Sequence, residues 1–113
     1  MAFKVELRSG LEAVNAVQKR AREDALRDIS QIWLGLATRR TPVDTGFLRA
    51  SMDSQHSESY ARVGNFAEYA PAVHEDLDTP RRVGGPKFIE EPLNENASDW
   101  VSMIAQRIRN ATV

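Results

Sequence analysis

The sequence contains no cysteine. That excludes disulfide staples, zinc–thiolate sites and thiol nucleophiles together, and it fits synthesis in a reducing cytoplasm. Histidine is scarce too, with only His56 and His74. His74-Glu75-Asp76 is a lone cluster of metal-ligand types, but neighbours on a strand point to opposite faces. A solvated loop edge is the better reading, and no metal or cofactor is expected. No apolar run approaches the roughly 20 residues that span a bilayer. The opening Met1–Glu6 is charged from Lys4 and lacks the apolar centre of a secretory signal, so no membrane partner is expected. A surplus of one charge is also missing: 15 Lys and Arg face 16 Asp and Glu, a net charge of −1. A domain built to grip nucleic acid is usually strongly basic.

Catalytic signatures are equally sparse. No Gly-x-Ser-x-Gly elbow presents a nucleophile. Gly84-Gly85-Pro86-Lys87 lacks the phosphate-loop spacing, and Pro86 removes a backbone donor that a phosphate would need. There is no internal repeat and no low-complexity tract. At 113 residues and 42% apolar composition, the chain fits one soluble domain, 1–113, with one modest core.

Phe3, Val5 and Leu7 alternate with Lys4, Glu6 and Arg8, the period of a half-buried strand. From Leu11 the period lengthens. Leu11, Val14, Val17, Ala21, Ala25, Ile29, Ile32 or Trp33, and Leu36 form one stripe on a helix of about 30 residues, or about 45 Å. A domain this small does not cover such a rod. Either the Ala21–Ala25 section meets another subunit, or the helix breaks near Arg22–Asp24 and stays within its own. Trp33 and Trp100 lie on apolar stripes and are expected in the core.

Ser51–His56 and Tyr60–Gly64 read as a hairpin around the polar turn Ser57-Glu58-Ser59. The first arm has few apolar residues and suits an exposed face or an edge. Ala72–Glu75 follows Pro71 as a strand or a helical turn, and Glu75–Gly85 is a long loop with only Leu77 and Val83 apolar. Such a loop is functional or disordered. Phe88 and Ile89 are expected as a short core strand. Pro92 starts a final helix with Trp100, Val101, Ile104, Ala105 and Ile108 as its apolar stripe. The fold class is therefore α+β: a long N-terminal helix and a C-terminal helix packed on a small, mostly antiparallel sheet, with a long flexible loop.

Between the first helix and the hairpin lies Thr41-Pro42-Val43-Asp44-Thr45-Gly46-Phe47-Leu48-Arg49-Ala50-Ser51. Pro42 disfavours the α region for Thr41, so the helix should stop near Arg40. Asp44 can cap a new turn by accepting from Gly46 or Phe47, and Gly46 tolerates angles that a Cβ forbids. Asp44→Ala should then cost about 0.5–2 kcal/mol. Pro42, Asp44, Thr45, Gly46 and Leu48 thus form a structural corner. Asp44-Thr45-Gly46 is also the tripeptide of aspartic proteases, where the Asp follows an apolar strand and two carboxylates share a proton. Here Arg39, Arg40, Thr41 and Pro42 precede it and no glycine-rich flap follows, so an aspartic hydrolase using Asp44 is a remote alternative.

These residues resemble the tail-component morphogenesis family of tailed bacteriophages. The likeness rests on the corner, on Val63-Gly64-Asn65 through Tyr69-Ala70-Pro71-Ala72-Val73-His74-Glu75, and on Pro86-Lys87-Phe88-Ile89-Glu90-Glu91-Pro92-Leu93. It covers about Leu36 to Ile108. The family often continues from the Glu near position 75 into an aromatic and a Gly-Thr pair, where this chain has Asp76-Leu77-Asp78.

The resemblance implies a non-enzymatic structural virion protein, made in the host cytoplasm. Such a protein forms a ring at the neck, where head connector meets tail, or completes the head-proximal end of the tail. The implied ring is a hexamer. Its implied partners are head-connector or adaptor proteins and tail-terminator or tail-tube proteins, with DNA passing without sequence specificity. Ala21, Ala25, Leu77 and Val83 are candidate subunit contacts, and Arg39, Arg40, Arg81 and Arg82 are candidates to face a channel. The alternative is a non-virion cytoplasmic protein that binds partners to assist assembly or regulation.

Overall fold

The computed structural model describes residues 3–41, 52–66 and 87–111. They form five elements: β1 (Phe3–Arg8), α1 (Ala16–Arg40), β2 (Asp53–His56), β3 (Tyr60–Asn65) and α2 (Lys87–Asn110). The fold is α+β. The strands make one antiparallel sheet in the order β1-β3-β2. The corner residues Pro42, Asp44, Thr45, Gly46 and Leu48, and the expected loop Glu75–Gly85, lie outside the described residues.

The period-two pattern of β1 sets which face is buried. Val5 pairs with Val63 and Leu7 with Ala61. Val5, Ala61 and Val63 sit in the core. The alternate rows, Lys4 with Gly64, Glu6 with Arg62 and Arg8 with Tyr60, belong to the opposite face. The hairpin closes through Ser57 N–H to the Tyr60 carbonyl at 2.9 Å. Only Glu58 and Ser59 form its loop, and the Ser57 hydroxyl accepts from Ser59 N–H at 3.1 Å. The polar first arm is an edge strand, as its composition predicted.

Helix α1 runs for 25 residues without interruption, so the break near Arg22–Asp24 does not occur. It starts at Ala16 rather than Leu11. Asn15 is the reason: it has extended angles, and its side chain accepts from Gln18 N–H at 2.8 Å. The Gln18 side chain reaches back to accept from Val14 N–H at 2.9 Å, close to a capping box in which each side chain satisfies an orphan donor. The far end is where Pro42 requires it. Thr41 has φ −70 and ψ 130, outside the α region. The Thr41 hydroxyl donates to the Ala37 carbonyl at 2.9 Å, and Arg39 and Arg40 lie in the last turn, where the helix dipole favours cations.

Ala25, Leu26, Ile29, Trp33 and Ala37 are fully buried at three- and four-residue spacing. They meet Trp100, Ile104 and Ile108 of α2. The two indoles lie 6.0 Å apart at 46°, within the range of favourable tilted pairs. Trp33 Nε1 donates to the Ile89 carbonyl at 2.9 Å, so this buried polar atom is satisfied.

Two expectations for the last helix are corrected. Phe88 and Ile89 are helical, not a strand, and the helix begins at Lys87, before Pro92. Proline at 92 removes one helical donor, the one that would reach the Phe88 carbonyl. One missing bond near a helix start is tolerated when the turn is held by packing, and here Ile89 and Pro92 are both buried. Val101 is 42% exposed and leaves the buried stripe to Trp100, Ile104 and Ile108.

Candidate assembly surface

The two helices run antiparallel, as three contacts show. Arg40 meets Glu95 at one end, Trp33 meets Trp100 in the middle, and Arg107 reaches Asp28 at 2.8 Å toward the other end. A shallow depression of about 380 Å³ lies where α2 ends, between Ala21 and Asp24 of α1 and Met103, Gln106, Arg107 and Asn110 of α2. The first turn of α1 therefore projects past the end of α2. Val17 in that turn is 56% exposed, and Val14 just before it is 77% exposed. They continue the helical row of Ala21 and leave apolar surface open beside the depression.

Of the expected subunit contacts, Ala21 is half-buried at the rim of this depression. Ala25 is fully buried inside the chain's own core, so its surface is already used. Leu77 and Val83 lie outside the described residues. The open apolar surface sits one to two turns earlier than the alanine-rich section. Sequence periodicity named Val14 and Val17, but burial against α2 was needed to show which part of the stripe stays uncovered.

A three-point clamp holds the stretch leading into α1. Arg22 Nε donates to the Glu58 carbonyl and its Nη1 to the Leu11 carbonyl, each at 2.6 Å. The other Nη lies 3.8 Å from the Glu58 carboxylate. One side chain thus ties the β1–α1 connection to the hairpin turn. His56 Nε2 lies 3.8 Å from the Glu23 carboxylate beside it.

At the opposite end, Arg39 is exposed, while Arg40 makes a forked pair with Glu95 at 2.8 and 3.3 Å. The hydrogen bond to Arg40 holds the Glu95 carboxyl below the usual carboxylate range. This guanidinium already carries a carboxylate, which weakens any pull it exerts on passing phosphate. Arg81 and Arg82 lie outside the described residues.

The sheet face turned away from the helices carries a cluster that the sequence did not reveal. The Glu6 side chain is 4% exposed and has Lys4 Nζ at 3.3 Å, Arg8 Nε at 2.9 Å and Arg62 Nε at 3.5 Å. Both Glu6 oxygens lack well-directed hydrogen bonds, so the cluster is held by charge more than by direction. Arg62 lies 4.0 Å from the centre of the Tyr60 ring and donates to Gln55 Oε1 at 3.1 Å. Burial, and then the positive charge of Arg62, push the Lys4 amine down to about 8 against the pull of Glu6. Strands far apart in sequence build this cluster, so only the cross-strand register exposes it.

Among the described residues no group of three or more His, Asp or Glu could hold a metal ion. None of the described helices is long and apolar enough to cross a membrane. Asp44 lies outside the described residues.

No curated protein and no solved structure matches the chain. A family model does. Its description reads "Bacteriophage HK97-gp10, putative tail-component", and it matches residues 5–74. The match takes in β1 from Val5 on, all of α1, the corner motif and the hairpin, and it stops short of α2. It reaches further toward the N-terminus than the motifs quoted above, and it leaves their Pro86–Leu93 piece outside. This chain belongs to the HK97-gp10-like family of bacteriophage tail components.

Proposed function

We propose that the protein is a structural virion component that closes into a ring at the head–tail interface, or completes the head-proximal end of the tail. The observation that carries this reading is the overhang. In a tail-component chain, Val14 and Val17 stand 77% and 56% exposed at the projecting end of α1. Apolar surface left open beside a groove marks an interaction site. A ring contact is heterologous, joining two different patches, so the overhang of one subunit meets another patch of the next.

The ring is a hexamer, matching tail symmetry. It stacks on head-connector or adaptor proteins on one side and on tail-terminator or tail-tube proteins on the other. DNA passes through it without sequence specificity, near the helix end that bears Arg39. The role is non-catalytic and its place is the virion.

The test is cryo-electron microscopy of particles purified after infection or induction. Ring density for this chain between connector and tail is the expected result. Intact, tailed particles without a copy of it would sink the reading and move the weight to a non-virion assembly factor.

A further inference from the structure

The hairpin fixes which backbone groups of β2 point outward. Ser57 bonds to Tyr60 across the turn. In an antiparallel ladder, bonded and non-bonded pairs alternate. With the observed register, Gln55–Arg62 and Asp53–Gly64 are then the bonded pairs. Ser54 and His56 turn their N–H and carbonyl groups away from β3, toward the open edge. Asp53, Gln55 and His56 are exposed along it, and among the described residues no strand pairs there.

One of these edge groups is already taken. Ser54 N–H donates to Asp53 Oδ1 at 2.8 Å. The cap has a directional consequence. An antiparallel partner spanning both outward residues needs the N–H and the carbonyl of each, including Ser54 N–H. Two copies joined edge to edge about a two-fold axis are antiparallel by symmetry, so the cap opposes that dimer. A parallel partner makes a different demand. One of its residues donates to the Ser54 carbonyl and accepts from His56 N–H, and its residue two further on donates to the His56 carbonyl. The residue two before the first of these, beside Asp53, would accept from Ser54 N–H, so the cap removes one terminal bond from a parallel junction but one from each copy of a two-fold pair.

A second copy offers a strand of the required direction. β1 and β2 are both antiparallel to β3, so they run parallel to each other. Continuing the sheet from one copy to the next around a ring lays β1 of the neighbour parallel to β2. The alternation of β1 turns the backbone groups of Glu6 and Arg8 outward, because Ser9 N–H bonds back to the Ser59 carbonyl in the same register. With Glu6 of the neighbour beside Gln55, polar face meets polar face and the apolar face of the sheet stays inside. Lys4 of the neighbour then shares a row with Asp53, opposite charges side by side.

We infer that the β2 edge is the receiving half of a head-to-tail sheet junction, filled in parallel by β1 of a second copy, with Asp53 guarding it against two-fold pairing. The inference rests on the ring reading and adds a second contact to that of the overhang.

The test uses the absence of native cysteine. In this register Arg8 of one copy lies beside Ser57 of the next, about 5 Å away, whereas within one chain the two flank Tyr60 and sit about 10 Å apart. The second distance is too long for a disulfide and the first is suitable. Particles carrying Arg8→Cys with Ser57→Cys are oxidised and run without reductant. A ladder extending beyond dimer, absent from either single variant, is expected. Monomer alone, or a band that stops at dimer, in particles where this chain forms a ring would overturn the junction and leave the ring standing. Particles with no multi-copy assembly of the chain would overturn both.

His56→Pro is the companion variant. It removes an outward N–H that β3 does not use. The variant is expected to keep a wild-type melting midpoint as a monomer and to be lost from particles. Incorporation at the wild-type level would refute the junction even where the cysteine pair fails to assemble.

Discussion

Lys4→Met makes the charge balance of the outer sheet face measurable. The Lys4 side chain is 1% exposed and, among the described residues, shares the buried Glu6 carboxylate with Arg8 and Arg62. Its amine titrates near 8 in the fold instead of 10.5. Between those values the unfolded chain holds a proton that the native chain has released. Stability therefore rises with pH across that window. Below pH 8 both states are protonated, and the fold bears the full cost of the buried charge. A difference of 10.5 against 8 corresponds to about 3 kcal/mol, at about 1.4 kcal/mol per unit. Methionine keeps the length of the side chain without the charge, and Glu6 keeps both arginines.

Urea unfolding of the two proteins at pH 7, 8, 9 and 10 isolates the effect, because every other group titrates alike in both. The wild type is expected to gain on the variant by up to about 3 kcal/mol as pH rises from 8 toward 10.5. A gap that stays constant over this range, or one that moves the other way, would refute the account of Lys4.

Trp33→Phe removes the indole donor to the Ile89 carbonyl, which keeps the helical N–H of Leu93 within reach. Thermal or urea unfolding should show a loss of about 0.5–1.5 kcal/mol, and a neutral result would mean that the indole bond adds nothing to the helical one. Asn15→Ala should cost about 0.5–2 kcal/mol through the lost cap, with the loss of helical circular dichroism confined to a small fraction at the start of α1. Val17→Asp places a charge on surface that is already open, so the melting midpoint should hold. Incorporation into particles, scored by immunoblot of purified virions, should fall sharply, and unaltered incorporation would remove the overhang from the assembly.

Several elements were legible because one local rule dominated each. Pro42 dictates where α1 stops, and Thr41 obeys it. Alternation dictates β1, and a polar two-residue turn dictates the hairpin. The errors came where two rules competed. Leu11 and Val14 fit the helical period, yet Asn15 and Gln18 form a start signal that wins, and reading that pair first would have placed the start correctly. Pro92 resembled a first-turn proline, but packing of Ile89 carries the helix back to Lys87. Val101 shows that period marks a stripe without saying how wide the neighbour is that covers it. Surface chemistry was less visible. The Glu6 cluster joins residues 4, 6, 8 and 62, and the Asp53 cap matters only once the ladder says which N–H groups face outward.

The antiparallel register of β1 with β3 also sets an order of events during synthesis. Phe3–Arg8 leaves the ribosome first, yet its partner Tyr60–Asn65 comes more than fifty residues later. At about 5–20 residues per second the strand waits on the order of 3–12 s before it can pair. Helix α1, made between the two strands, can then cover the apolar face of the sheet, while its side toward α2 stays open until Trp100, Ile104 and Ile108 arrive. The core thus closes in two steps, the sheet on α1 first and α2 last, and both sheet edges are complete after the first of them.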